Sequence, residues 1–289
     1  FPDTIRIVLT GFADVEAIIG AINSGQVFRY ITKPWDQTEL RMTIENARRV
    51  SALQFRNKAL LRDLRLKVEE QERTLRLFVK YVPEVIVQDS LARTGASLFD
   101  GELLHAVVLF CDLRGFTSLS ERVAPKLVVG FLNDFYGVMT KIVKQHGGYV
   151  NQFVGDEIFA TFGAPEGAAN MEEQAVFAAI RMAKEMEDLG EKYEAQFGER
   201  IYAGFGINSG DVIAGNMGSE DRMAYSVTGD TVNTGKRIES LTKGHPNGIL
   251  IRDSIYEKVA HLVVADRWEP IAVKGKEEKL QLFQVTGRK

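Results

Sequence analysis

The sequence predicts an α/β (α+β) protein whose larger part is a ferredoxin-like sandwich. Three observations carry that prediction. Short β-rich apolar runs alternate with stretches of helical periodicity. From His105 onward, two strand–helix–strand units are joined through a tight hairpin, the pattern of a split βαβ sandwich. Between this part and a shorter α/β part at the front, residues 50–82 hold no Gly or Pro and read as uninterrupted helix. With 289 residues, 45% hydrophobic and 26% charged, the chain has material for one or two domains with a proper core.

The front part, residues 1–49, reads strand, helix, strand, helix: "IRIVLTG", "DVEAIIGAINSG", "VFRYITKP", "TELRMTIENARRV". That alternation predicts a small parallel sheet, about half a domain. In the helical linker 50–82, apolar residues fall at Leu61, Leu64, Val68, Leu75, Phe78 and Val82, in steps of three and four, with Gln71 in one core slot. The seam predicts a coiled coil, most simply a parallel dimer, over one amphipathic helix packed on its own domain. Pro83 ends the helix, and residues 84–104 form a mixed connector ahead of the domain at 105–289. In that domain "AVVLFCDL" is a buried strand, and "APKLVVGFLNDFYGVMTKIVKQHGG" is a long helix stopped by two glycines. "YVNQFVGDEIFATFG" is a hairpin and "MEEQAVFAAIRMAKEMEDLGEKYEAQFG" a second long helix. "IYAGFGINSGDVIAGNMG", "MAYSVTGD", the helix "TVNTGKRIESLTK" and late strands at "GILIRD" and "LQLFQVTG" complete it.

A net charge of −3 and a pI near 5.9 argue against a nucleic-acid or membrane surface, whose footprint is basic. No apolar run approaches the roughly 18 residues of a membrane helix, and no signal peptide is visible, so the chain reads as cytoplasmic. The single cysteine, Cys111, lies in the apolar run "AVVLFC" and reads as a core residue. The four histidines show no metal-ligand spacing. The start at Phe1 rather than Met suggests a piece of a longer protein.

Two acids stand out. Asp112 follows a buried strand and precedes a glycine turn, where it can cap the following helix or face a ligand. The backbone N–H groups of Arg114, Gly115, Phe116 and Thr117 open that helix, an arrangement suited to phosphate. Asp156 sits in a Gly-Asp pair that a tight turn favours by itself. One sheet can bring the two carboxylates side by side, where they repel unless cations lie between them.

Taken in order, "LFCDLRGFT", "NQFVGDEIFATFG", "YSVTGDTVNTGKRIES" and "VKGKEEKLQLF" resemble the catalytic domain of class III nucleotidyl cyclases, over about residues 100–287. The resemblance implies that Asp112 and Asp156, with Leu113 beside the first, form the metal site for two Mg²⁺ or Mn²⁺ ions. It implies that Asn233 and Arg237 orient the ribose and stabilise the transition state, and that Lys274 holds the terminal phosphates. Gly115, Phe116 and Thr117 would border the substrate. It also implies a head-to-tail homodimer in which the aspartates of one subunit meet the Asn/Arg/Lys set of the other, with ATP or GTP as substrate. The chain departs from the pattern at the base-selecting positions. Adenylyl cyclases carry Lys and guanylyl cyclases Glu where this chain has Gln152, and a second selecting position is Ser226. Gln and Ser each donate or accept, so the pair excludes neither purine. The absence of glutamate favours ATP, with a guanylate or dual-specificity cyclase as the alternative.

The front segments "IVLTGFAD" and "VFRYITKPW" resemble the second half of a response-regulator receiver. Thr10 would match its switch residue and Lys33 its phosphate-pairing lysine, with the phosphoacceptor upstream and a histidine kinase as partner of the whole protein. Two further readings compete. "VGDEIF" resembles a diguanylate cyclase signature, but Val154 and Ile158 break it. A nucleotide-binding pseudo-cyclase would lack a metal or transition-state residue, and none is missing.

Overall fold

The computed structural model describes residues 4–11, 20, 27–78, 101–164, 167–219, 222–272 and 279–289. The helix expected at "DVEAIIGAINSG", the break at Pro83, most of the connector and Lys274 lie outside them. The chain divides into two units, Phe1–Pro83 and Glu84–Lys289. No helix among the described residues is long and apolar enough to cross a membrane.

In the first unit, β1 (Ile7–Thr10) and β2 (Arg29–Thr32) pair in parallel, as their spacing predicts. The following helix is capped by Asp36, whose carboxylate accepts hydrogen bonds from the Thr38 and Glu39 backbone N–H groups at 2.8 and 2.9 Å. Two predicted elements merge here. The helix at "TELRMTIENARRV" and the linker helix form one continuous α1, Gln37–Phe78, with no break at the 49/50 boundary. Nothing in the sequence interrupts it, since Gly and Pro are absent throughout. Thr43 and Ala47 are buried near its start, but Leu61, Leu64, Val68 and Leu75 are 45–59% exposed. The alternative in which this helix packs its stripe on its own domain is therefore not what the described residues show.

The second unit opens with β3 (Glu102–Leu113), which begins three residues before the 105 boundary because Glu102–Leu104 already pair with Ala214–Val212. There follow α2 (Phe116–Ser120), α3 (Pro125–Gln145), β4 (Tyr149–Val154), β5 (Glu157–Phe162), α4 (Met171–Phe197), β6 (Ala203–Ser219), β7 (Arg222–Thr228) and α5 (Asp230–Ser240). The chain closes with β8 (Ile249–Arg252), α6 (Asp253–Val259), β9 (Val263–Arg267) and β10 (Leu282–Arg288). Helix α6 and strand β9 have no counterpart in the predicted elements. The strand order is β4-β5-β3-β6-β8-β10-β9, with β7 on β6. Each neighbouring pair among its first four strands is antiparallel, and they have the ferredoxin-like order the two βαβ units predict.

Strand alternation divides the sheet into two faces. Val107, Leu109, Cys111, Ile158, Phe205 and Ile207 pack under α3 and α4 in the main core. Ala106, Val108 and Phe110, with Phe159, form the opposite face, where Phe110 and Phe159 stack at 4.6 Å. Helix α5 lies on that second face. It approaches β6 where glycines leave the sheet bare: a Cβ on Gly206 would strike the Glu239 backbone, and one on Gly210 would lie 2.7 Å from Thr231 Oγ1. On the helix side, a Cβ on Gly235 would lie 2.7 Å from Val108 Cγ2. Asn208 Nδ2, between those glycines, donates to the Thr231 carbonyl at 2.9 Å.

Gly206→Ala is expected to cost about 2–3 kcal/mol, because the helix backbone it meets has no flexible end to yield. A denaturant midpoint unchanged from the parent would contradict this close seating.

Candidate active site

Asp112 is the penultimate residue of β3, on the face shared with α5. It stands opposite Glu157 of β5 and Gly204 of β6. Asp156 precedes Glu157 in the two-residue turn of the β4–β5 hairpin, whose first residue, Gly155, has φ +61°. The Tyr136 hydroxyl donates to the Gly155 carbonyl and fixes the turn. Asp156 thus occupies the tight turn that the Gly-Asp pair predicts, with its carboxyl among the charges of Arg114, Lys236 and Glu239. The helix after Asp112 starts at Gly115, in the left-handed region at φ +70°, with no side-chain cap, so Asp112 does not cap it. Leu113 is buried, and only its main-chain carbonyl is available to a cation. Phe116 buries its ring against Phe131 at 5.7 Å, whereas Thr117 is exposed. Beside a ligand, Phe116 can present only its backbone.

Charge makes the cluster distinctive. Asp112, Asp156, Glu157 and Glu239 of α5 converge, with Arg114 and Lys236 among them. Arg114 donates to Glu239 Oε1 at 2.6 Å, hydrogen-bonds Thr242, and lies 3.4 Å from Asp112 Oδ2. Its guanidinium occupies the space a Cβ on Gly204 would fill. Lys236 ion-pairs with Glu157 and lies 3.2 Å from Glu239 Oε2. Burial, reinforced by the Glu239 and Asp156 carboxylates, pushes the Asp112 carboxyl up to about 6 against Lys236 and Arg114. Burial also raises Asp156. Two carboxylates still in excess of their cations suit a hard divalent ion, which takes one or two carboxylates and completes its shell with water and phosphate oxygens. Among the described residues no group of three or more His, Cys, Asp or Glu forms a self-sufficient metal cage.

The other predicted residues occupy different surfaces. Asn233 and Arg237 are four apart on α5 and share a side of the helix. Neither pairs with a described side chain. Arg237 in particular does not pair with Glu239, which turns to Arg114 and Lys236 instead. Gln152 is exposed on β4, just past a bulge that shifts the ladder between Val150 and Gln152. Ser226 is half-buried on β7, opposite Gly215. In the first unit, Thr10 and Lys33 adjoin at the strand ends, where Lys33 N donates to Thr10 O at 2.8 Å. The supporting set Arg114, Glu157, Lys236, Glu239 and Thr242 is absent from the predicted site. Alternation sets Glu157 on the Phe159 face of its own strand, but only the β3–β5 register sets it opposite Asp112.

A ferredoxin-like sheet with aspartates at a strand end and a hairpin turn, and an Asn/Arg helix seated on the same face, is an arrangement suited to a nucleotide and a divalent cation. The profile of the adenylate and guanylate cyclase catalytic domain matches residues 102–287, and the chain belongs to that family. An adenylate cyclase of Anabaena cylindrica is 31% identical over 234 residues, covering 77% of this chain and 45% of the relative. Adenylate cyclase 1 of Rhizobium meliloti is 26% identical and covers 73% of this chain and 32% of its own length. The chain thus spans less than half of these relatives. Among solved structures, the adenylyl cyclase CyaB from P. aeruginosa is 32% identical at a TM-score of 0.63, covering 66% of this chain and 98% of that one. The guanylyl cyclase Cya2 is 33% identical at 0.62, covering 65% and 95%.

Asp112 titrates near 6 when folded, well above its unfolded value, so the folded protein holds the extra proton between about pH 4 and 6. This contribution favours the fold at pH 5 and is lost as pH rises through 6. Asp112→Asn should therefore raise the Tm of the metal-free protein at pH 7.5 and leave it nearly unchanged at pH 4. Equal Tm differences at both pH values would contradict the crowding of these carboxylates.

Proposed function

We propose that this chain is a purine nucleotide cyclase, and that it converts ATP to 3′,5′-cyclic AMP and pyrophosphate in a homodimer with two composite sites. The observation that carries the reading is the separation of the two residue sets. Asp112 and Asp156 converge in one cluster, while Asn233 and Arg237 project from α5 without a partner among the described residues. That is the arrangement expected if each set faces the complementary set of a second chain.

Asp112, Asp156 and the Leu113 carbonyl would hold two divalent cations, Mg²⁺ or Mn²⁺, whose chemistry is to acidify the attacking ribose 3′-hydroxyl and neutralise the triphosphate. Arg237 offers planar, permanently charged donors to the phosphoryl oxygens as the α-phosphate is attacked. Asn233, one turn away, orients the ribose, and Lys274 draws on the leaving pyrophosphate. Backbone N–H groups of Gly115, Phe116 and Thr117 border the phosphates. Positioning and charge stabilisation suffice for such a transfer, with no covalent intermediate. Gln152 and Ser226 can each meet either purine edge, so discrimination between bases is shallow.

Exposed Leu61, Leu64, Val68 and Leu75 support a parallel coiled coil between two copies of α1. The parallel β1–β2 pair with Thr10 beside Lys33 supports a receiver-derived first unit. In the whole protein, phosphorylation by a histidine kinase would then reach the cyclase through this helical stalk.

The test is a product assay with ATP and GTP, each with Mg²⁺ and Mn²⁺. Asp112→Ala should abolish cyclic product, and Arg237→Ala should lower kcat about 10²- to 10³-fold. Mixing these two impaired variants should raise activity well above either alone, because a mixed dimer retains one intact site. No product from the parent chain with either base would overturn the reading, and no rescue on mixing would overturn the composite site. Gln152→Glu should shift the GTP-to-ATP ratio of kcat/KM toward GTP by about tenfold, read from the same assay.

A further inference from the structure

We propose that Lys236 is a positioning residue that ties α5 to the metal carboxylates of its own chain while tempering their charge; the inference rests on the cyclase reading above. Helix α5 has two working sides. Asn233 and Arg237 make no hydrogen bond or ion pair with the cluster. Lys236 and Glu239 turn into it. The Lys236 ammonium ion-pairs with Glu157, which is bonded in sequence to Asp156 and stands opposite Asp112 in the β3–β5 ladder. Arg114 makes the second tie, bonding Glu239 at 2.6 Å and reaching Asp112 at 3.4 Å. Two cations therefore link the helix that carries Asn233 and Arg237 to the strand that carries Asp112 and the hairpin that carries Asp156.

An exposed lysine pair contributes little, but these acids are not exposed: the Glu239 side chain is 1% and the Glu157 side chain 11% accessible. Buried carboxylates need a counter-charge held in place. Lys236 supplies it, and by tying α5 down it holds the helix backbone from which Arg237 projects. In a head-to-tail dimer, Arg237 serves the other site. Lys236 thereby connects the metal carboxylates of one site to the transition-state residue of its twin.

The same ammonium also reduces the negative potential that Asp112 and Asp156 offer an incoming cation. Its removal has two opposite consequences, tighter cation binding and slower turnover. A lysine that served only packing would weaken both, and a bystander would change neither.

The experiment uses the full 289-residue chain. Free Mn²⁺ is measured by electron paramagnetic resonance without nucleotide, and turnover of ATP is measured separately. Lys236→Met should tighten Mn²⁺ binding about fivefold and lower kcat about tenfold, with KM changed much less. Lys236→Arg, which keeps the charge, should restore parental Mn²⁺ binding. Glu157→Gln removes one end of the tie without a change of shape. It should lower kcat at an unchanged Tm, and it decides the matter if Lys236→Met fails to fold. Mn²⁺ binding unchanged or weakened in a folded Lys236→Met, or a parental kcat in Glu157→Gln, would overturn the proposal. If the parent chain makes no cyclic product, the cyclase reading fails, and the Mn²⁺ comparison still decides whether Lys236 tempers the cluster.

Discussion

The arrangement depends on how closely α5 can approach β6. A helix can seat its backbone against a strand only where Cβ atoms are missing, and here Gly206 and Gly210 supply the gap on the sheet and Gly235 on the helix. That distance brings Glu239 within reach of Arg114 and Lys236 within reach of Glu157. Were the helix lifted by one methyl group's thickness, both ion pairs would open and leave buried carboxylates without partners. The glycine track is thus a condition for the electrostatics, and it stabilises the fold only secondarily.

The electrostatics then explain why the cluster sits at the strand ends. Four carboxylates meet two cations, so the metal-free protein carries a local excess of negative charge that raises Asp112 and Asp156. In the middle of β3, where Val108 and Leu109 are fully buried, such an excess could not be tolerated. At the end of the strand and the tip of a hairpin, water reaches the acids and a ligand can too. The domain spends stability there in order to hold a site open for positive charge.

Much of this was legible in the sequence. The order of the first four sheet strands follows from two βαβ units and one Gly-Asp hairpin, because antiparallel pairing of β3 with both β5 and β6 is what that connectivity permits. Asp112, Asp156, Asn233 and Arg237 were identifiable because each lies in a short, distinctive segment. Glu157, Lys236 and Glu239 were not, since their importance arises only when α5 is seated on the sheet. A lysine beside an arginine on a helix reads as a solvated face until the strand it meets is known. The even spacing of Gly204, Gly206 and Gly210 places them on one face of β6, and it marks where a helix must come close. The merger of two predicted helices into α1 was legible too, since nothing between Gln37 and Phe78 could break the helix.

Base selection presents a different physical problem from catalysis. Phosphoryl transfer needs fixed charges, and the charged cluster around Asp112 and Asp156 is tied through α5 and the hairpin. Recognition of a purine edge needs donors and acceptors whose direction is fixed, and Gln152 and Ser226 are free in that respect. Gln152 follows a bulge on an exposed strand, where no described side chain holds its amide in one orientation. An amide that can rotate meets adenine and guanine at comparable cost, whereas an ammonium or a carboxylate cannot. The bulge precedes an exposed residue that its own strand leaves unbraced. Narrow specificity would then require a second chain to brace it, because its own strand does not.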